Sequence, residues 1–210
     1  HVDGESIPLR IRSLVGLIPI LAVEVLEEDD VAALPGFAKR LEWFLDNRPD
    51  LGRHISFYEK CCGGEGSGRL LAIPTRERLE RVLAYLFDED EFLSPYGIRS
   101  LSKYHQDHPF VFHVGDEEHR VAYTPGESDS GLFGGNSNWR GPIWLPMNFL
   151  IIEALERYHH FYGEDFRMEF PTGSGQKMNL RQIAGNILER VVGIFLQDSS
   201  GHRPFQELPA

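Results

Sequence analysis

The sequence predicts a mainly α-helical protein, built from antiparallel helix pairs, with long loops and one small β-hairpin. Its 210 residues are 41% hydrophobic and 25% charged, which is ordinary for a globular protein. Apolar residues recur at helical spacing in several separate segments, whereas strand-like alternation is confined to one short region. We therefore expect a single domain over residues 1–210, in which each helix buries one apolar stripe against a neighbour.

The first predicted helix lies in the most apolar run of the chain, Leu14–Leu26. The run is too short to span a bilayer and is interrupted by Gly16, Pro19 and Glu24. We therefore expect a buried helix over its second part, Leu17–Leu26.

The next two helices have recognisable ends. Pro35 suits the first turn of a helix that closes at Arg48, just before a second proline. Thr75 is a predicted N-cap for a third helix, with an apolar stripe that ends near Leu86. The acidic run Asp88–Glu91 is expected to mark the exposed end of that helix.

Two further helices are predicted in the C-terminal third of the chain. Pro142 is the expected start of the fourth helix, and Gly163 is its expected stop. Asn179 is the expected start of the last helix, whose apolar stripe ends at Phe195.

The long connection between the third and fourth helices, residues 92–141, is where a functional site is expected. Within it, the strand-like runs Pro109–Val114 and Arg120–Tyr123 flank a Gly-Asp-Glu-Glu segment and predict the β-hairpin. Long loops on a helical scaffold are uncommon unless they are functional or disordered.

Charge and cysteine content exclude several classes of partner. The chain has 21 Lys and Arg against 32 Asp and Glu, a formal net charge of −11, which repels nucleic acid and anionic membranes. Its two cysteines, Cys61 and Cys62, are adjacent and are expected to stay reduced, which favours a cytoplasmic location. Because the sequence begins with His1 and has no signal-peptide pattern, we expect a piece of a longer protein.

Residues 127–144 combine aromatic, polar and glycine residues in a way that suits a sugar ligand. Two of the three tryptophans of the chain occur there, together with glycines that let main chain approach a ligand closely. A pyranose offers an aliphatic face to an aromatic ring and a rim of hydroxyls that need hydrogen bonds. The candidate residues are Glu127, Asp129, Asn136, Asn138, Trp139, Arg140 and Trp144. A structural role is equally compatible with the composition, with the asparagines in turns or caps, Arg140 paired to Asp129 and the tryptophans in the core.

Four strings of the sequence resemble one enzyme family. Ile7–Pro19, Ser94–Ser102, Glu127–Trp144 and Pro171–Gly175 look like the C-terminal domain of glycoside hydrolase family 63, the family of mannosyl-oligosaccharide glucosidase. The Asn-Trp-Arg-Gly-Pro-Ile-Trp string is the most specific of these motifs. The resemblance implies an (α/α)6 toroid around a central sugar pocket and an inverting exo-acting α-glucosidase, with no cofactor. Five predicted helices cannot form the twelve of that toroid, so we expect a partial toroid, an open arc whose exposed helix faces could support self-association.

The resemblance also assigns roles to individual residues. It implies that sugar-pocket lining is provided by Tyr96, Arg99, Asn136, Asn138, Trp139, Arg140 and Trp144. Glu127 and Asp129 would accept hydrogen bonds from sugar hydroxyls. The general acid and the general base of the family would lie before His1 and after Ala210, so the chain is expected to be part of a larger glycosidase catalytic domain.

Other functions remain open from the sequence. The chain could be a non-catalytic sugar-binding or interaction module that has kept the pocket loops, and trehalases and debranching enzymes share the toroid. A metal site is not expected, because the pairs His105/His108 and His159/His160 lack further ligands at a standard spacing.

Overall fold

A computed structural model describes residues 8–52, 56–59, 68–124 and 142–204. Across these ranges the protein is mainly helical with small antiparallel sheets, which confirms the predicted class. The helices are α1 (Glu28–Ala33), α2 (Pro35–Asn47), α3 (Pro49–Gly52), α4 (Arg76–Leu86), α5 (Leu145–Tyr162), α6 (Leu180–Gly193) and the 3₁₀ helices Leu14–Leu21 and Lys103–Gln106. The strands are β1 (Val23–Glu27), β2 (Ser56–Glu59), β3 (Gly68–Ala72), β4 (Leu93–Ser94), β5 (Gly97–Ile98), β6 (Phe110–Val114), β7 (Glu117–Val121), β8 (Arg167–Glu169) and β9 (Lys177–Asn179).

The N-terminal apolar run is not the buried helix predicted over Leu17–Leu26. It forms the 3₁₀ helix and then β1, which pairs antiparallel with β3 in the register Val23↔Ala72 to Glu27↔Gly68. Pro19 has no amide N–H to donate along a helix, and the alternation of Val23, Glu24 and Val25 has the period of a strand. The strand β2 pairs with the other edge of β3 and completes a three-stranded sheet.

The capped helices form where their end signals predict them. In α4 the Thr75 hydroxyl accepts the N–H of Arg78 at 3.3 Å. In α6 Asn179 and Gln182 form a reciprocal capping box, at 2.8 and 3.1 Å. The helix α2 begins at Pro35, as its fixed φ favours.

The helix α5 begins at Leu145 and not at Pro142. The carbonyl oxygen of Pro142 accepts the N–H of Ser100 at 2.9 Å, and Ile143 forms a β-bridge with Arg99. This extended pairing excludes a helical conformation until after Trp144, the N-cap residue. Gly163 ends the helix with φ +72°, as predicted.

The core lies between α5, α6, α4 and the 3₁₀ helix Leu14–Leu21. Buried side chains such as Leu83, Leu155 and Ile187 belong to one continuous cluster. Tyr158 is also buried, and its hydroxyl donates to the carbonyl oxygen of Ile20 at 3.1 Å. Burial raises the pKa of Tyr158 well above its ordinary value, with the neighbouring Tyr162 contributing in the same direction.

The predicted hairpin is present, with a tighter turn than expected. β6 and β7 pair in the register Phe110↔Val121 to Val114↔Glu117, so the second strand begins at Glu117 rather than Arg120. Gly115, with φ +62°, occupies the first position of the two-residue turn.

Large apolar side chains are exposed on the outer faces of the last two helices. They include Phe149 of α5 and Leu188 and Val192 of α6, and Phe195 and Leu196 follow directly. Self-association through these faces stays a prediction. Over the ranges given above, the structure contains no helix with the length and hydropathy required to cross a membrane.

Candidate functional site

Tyr96 lies at the tip of a two-residue turn that joins β4 to β5. The Ser94 hydroxyl donates to the Gly97 carbonyl at 2.8 Å and accepts the Tyr96 N–H at 3.0 Å. Gly97 has φ +111°, and a Cβ there would lie 2.7 Å from Val191 Cγ2 and 2.8 Å from Asn148 Oδ1. The turn therefore requires glycine at this position, and it packs closely against α5 and α6. Tyr96 itself is 43% exposed. Its ring is therefore held in solvent by a turn that is fixed in place.

Asn148 fastens this turn to the start of α5. Its Oδ1 accepts the Ile98 N–H at 2.7 Å, and its Nδ2 donates to the carbonyl oxygens of Ile98, at 3.0 Å, and Trp144, at 3.1 Å. The residue is fully buried, so water cannot replace these partners. Asn148 is not among the residues predicted from the sequence, although an amide within the apolar stripe of a helix is a signal of such a role.

Arg99 is buried beside the same turn and is only 7% exposed. Its guanidinium donates to the carbonyl oxygens of Glu89, at 3.0 Å, and Leu93, and to the Tyr123 hydroxyl at 3.2 Å. These contacts give Arg99 a positioning role for the main chain around it. The sugar contact that the resemblance implies for Arg99 stays a prediction.

The chain on either side of segment 125–141 is hydrogen-bonded to one stretch, Arg99–His105. On one side the Tyr123 N–H donates to the His105 carbonyl at 3.2 Å. On the other side the Ser100 N–H donates to the Pro142 carbonyl. Tyr123 and Pro142 therefore both lie close to the stretch that contains the predicted sugar-binding residue Arg99.

Three of the predicted site residues lie in the described part of the chain. The Asn148 amide joins the main chain at Ile98, next to Tyr96 and Arg99, to the main chain at Trp144. Trp144 lies at the start of a helix, half-buried against the core. The remaining ones lie outside the described residues: Glu127, Asp129, Asn136, Asn138, Trp139 and Arg140.

Glu91 is a buried carboxylate next to this site. Its Oε2 accepts the Ser102 hydroxyl at 2.5 Å, and its Oε1 is paired with the Arg12 guanidinium. The expectation that Asp88–Glu91 is an exposed helix end is wrong for Glu91, which is 8% exposed. Because Arg12 lies 79 positions earlier in the chain, no local pattern reveals this pairing.

His105 has both ring nitrogens committed to main-chain partners. Its Nε2 accepts the Arg12 N–H at 2.8 Å, so the proton lies on Nδ1, which donates to the His108 carbonyl at 2.9 Å. The ring is therefore a structural link between the N-terminal segment and the site. Nowhere in the described ranges do three or more His, Cys, Asp or Glu side chains form a group that could hold a metal ion.

The family follows from comparison with known proteins. Residues 69–195, more than half of the chain, match the family model of the glycosyl hydrolase family 63 C-terminal domain. The chain belongs to this family. The matched range runs from β3 to just beyond α6 and includes the Tyr96 turn, Asn148 and the whole of segment 125–141.

Three relatives illustrate the relationship. The uncharacterized protein YMR196W of Saccharomyces cerevisiae is 52% identical over 199 residues, which is 94% of this chain and 18% of that protein. A probable mannosyl-oligosaccharide glucosidase of Schizosaccharomyces pombe is 36% identical over 78 residues, 37% of this chain and 7% of that protein. The mannosyl-oligosaccharide glucosidase of Saccharomyces cerevisiae is 32% identical over 83 residues, 39% of this chain and 7% of that protein. The chain thus spans less than a fifth of the length of these relatives, and no solved structure matches it.

Proposed function

We propose that the protein is a glycoside hydrolase that removes a terminal glucose from an oligosaccharide or a small α-glucoside, with inversion at the anomeric carbon. The match of residues 69–195 to the family 63 domain carries this proposal. The mannosyl-oligosaccharide glucosidases among the relatives support a glucose-containing substrate.

The proposed reaction needs residues from this chain and from other parts of the protein. Inversion needs a general acid and a general base about 6.5–9.5 Å apart, so that a water molecule fits between the base and the sugar. We propose that both carboxyl groups lie outside residues 1–210, in the remainder of a larger catalytic domain. The chain would then contribute part of an (α/α)6 toroid and one wall of the sugar pocket.

Glu91 is not a candidate for either catalytic carboxyl. One of its oxygens is bound by the Arg12 guanidinium and the other by the Ser102 hydroxyl. Both oxygens are engaged by side chains of the fold and the residue is only 8% exposed, which disfavours contact with a catalytic water molecule or a leaving group. Its role is to join the N-terminal segment to the stretch Arg99–His105.

Glucose release from terminal α-glucosides tests the proposal. We expect the full-length protein to release glucose, and the 210-residue chain alone to release none above background, because each general acid or base contributes about 10²–10⁴-fold. Glu127→Gln and Asp129→Asn are made in both versions. Turnover by the chain alone that either substitution abolishes would place the catalytic carboxyls inside the chain. Sugar binding by the full-length protein without turnover would indicate the non-catalytic module instead.

We also propose a cytoplasmic location for the protein. The presence of only two, adjacent cysteines supports a reducing compartment. Fractionation of cells that express a tagged full-length protein tests it, and recovery with the secretory membranes would contradict it.

A further inference from the structure

A shallow surface groove follows the C-terminal half of α6, and Tyr96 lines it. It consists of two depressions of about 370 and 250 Å³, and both are lined by Tyr96 and Gly193. Asn186 and Glu189 line the first depression, and His202 lines the second. We call this feature the Tyr96 groove.

Gly193 lines both depressions. A Cβ added at this position would meet no atom within 4 Å, so the fold does not require glycine there. Any larger side chain would project into open space at the junction of the depressions. Gly185, about two helical turns earlier in α6, has equally open surroundings but lines neither depression.

The walls of the groove are held in place before any ligand binds. The Arg190 guanidinium donates to the Ser94 carbonyl at 2.8 Å and to Asn186 Oδ1 at 3.0 Å, which ties α6 to the Tyr96 turn. On the other side, Asp198 Oδ1 accepts the N–H groups of Ser200 and His202 at 2.7 and 3.0 Å. A preorganised site loses little conformational entropy on binding.

The polar groups that remain available match the needs of a neutral polyhydroxylated ligand. The Asn186 amide uses its oxygen for Arg190, which leaves its N–H₂ group as a donor. Among the described residues, the Glu189 carboxylate has no hydrogen-bond or ion-pair partner, so it can accept from hydroxyls. The exposed ring of Tyr96 offers a flat apolar face to the C–H groups of a sugar. The groove is lined by the guanidinium groups of Arg190 and Arg203 as well as by the carboxylates of Glu189 and Asp198. These charges balance, which suits a neutral ligand.

We infer that the Tyr96 groove binds an α-linked gluco-oligosaccharide, with one ring stacked on Tyr96 and the next over Gly193. The inference rests on the proposed function for the class of ligand. It adds a binding surface on α6, with Asn186 and Glu189 as the residues that contact hydroxyls.

Binding of a thio-linked maltotriose, whose sulfur bridges resist hydrolysis, tests the inference in the full-length protein by isothermal titration calorimetry. We expect Tyr96→Ala to raise Kd about 3- to 10-fold, which is the size expected for loss of one aromatic contact, while Tyr96→Phe keeps Kd near that of the wild type. The matched control is Tyr85→Ala, since Tyr85 is 55% exposed on α4 and lines neither depression.

A second pair of variants tests the space above Gly193. Gly193→Phe is expected to raise Kd about tenfold or more by filling the junction, whereas Gly185→Phe adds the same side chain to the same helix and should leave Kd unchanged. Thermal melts followed by circular dichroism compare the folding of each variant with its control. If Gly193→Phe fails to fold, Gly193→Gln takes its place.

The outcomes separate the groove from the proposed function. If Tyr96→Ala and the Gly193 variant both bind the thio-sugar with wild-type affinity, the groove does not bind the oligosaccharide. If those variants also release glucose with an unchanged KM, the proposed function stands and the sugar binds elsewhere. Failure of the wild-type protein to bind the thio-sugar would also contradict oligosaccharide binding in the groove. Failure to release glucose from any α-glucoside would count against the proposed function instead.

Discussion

The Asn148 amide provides the sharpest test of how the site is held together. In Asn148→Leu the side chain keeps a similar size, but the N–H and C=O groups of Ile98 lose their partners in a place that water does not reach. The Trp144 carbonyl still accepts the N–H of residue 148 at 3.0 Å, so two main-chain groups are left unpaired. At about 1–3 kcal/mol for each unpaired buried group, the free energy of unfolding should fall by about 2–6 kcal/mol.

Urea denaturation followed by circular dichroism measures this loss. The control is Asn47→Leu, because Asn47 donates only to the Trp43 carbonyl at the exposed end of α2, and a surface change of this kind costs about 0.5 kcal/mol or less. A loss below about 1 kcal/mol in Asn148→Leu, with an unchanged denaturant slope, would refute the view that this amide fastens the Tyr96 turn to α5.

Three further changes test other parts of the structure. Gly97→Ala should lower the free energy of unfolding by about 2–4 kcal/mol, because the new Cβ would combine left-handed strain with overlap against the last helix; a urea melt equal to that of the wild type would contradict it. His105→Ala should cost about 1–3 kcal/mol in the same assay, since the Arg12 N–H then loses its buried acceptor. Tyr158→Phe should cost about 1 kcal/mol at pH 7 through the lost bond to the Ile20 carbonyl. Burial raises the pKa of Tyr158, so the stability it contributes is complete below about pH 10 and is lost at higher pH. In melts from pH 8 to 11, the wild type should therefore lose stability more steeply than Tyr158→Phe, and parallel curves would contradict this.

The sequence predicts elements well where the deciding interactions are local. The caps at Thr75 and Asn179, the proline at the start of α2 and the glycine after α5 each act within one helical turn, and all four helix ends lie where these residues place them. The prediction fails where a distant partner decides. β1 is a strand because β3, more than 40 positions later, pairs with it.

The same distinction applies to the candidate site. The resemblance identifies Tyr96 and Trp144, and the structure places their segments next to each other. The sequence marks Asn148 as an amide within an apolar stripe, but it does not show that its partner is Ile98, 50 positions away. Glu91 looks like part of a solvated acidic run until Arg12 is brought to it by the fold. Long-range pairing of buried polar groups is therefore the part of the site that a single sequence does not reveal.

The anomeric form of the first product shows whether the protein is an inverting α-glucosidase. A ¹H NMR time course of the full-length protein acting on a terminal α-glucoside should show β-glucose before mutarotation produces the α-anomer, as expected for an inverting α-glucosidase. Appearance of α-glucose first would contradict inversion. Release of no glucose from a panel of α-1,2-, α-1,3-, α-1,4- and α-1,6-linked glucosides would contradict α-glucosidase activity.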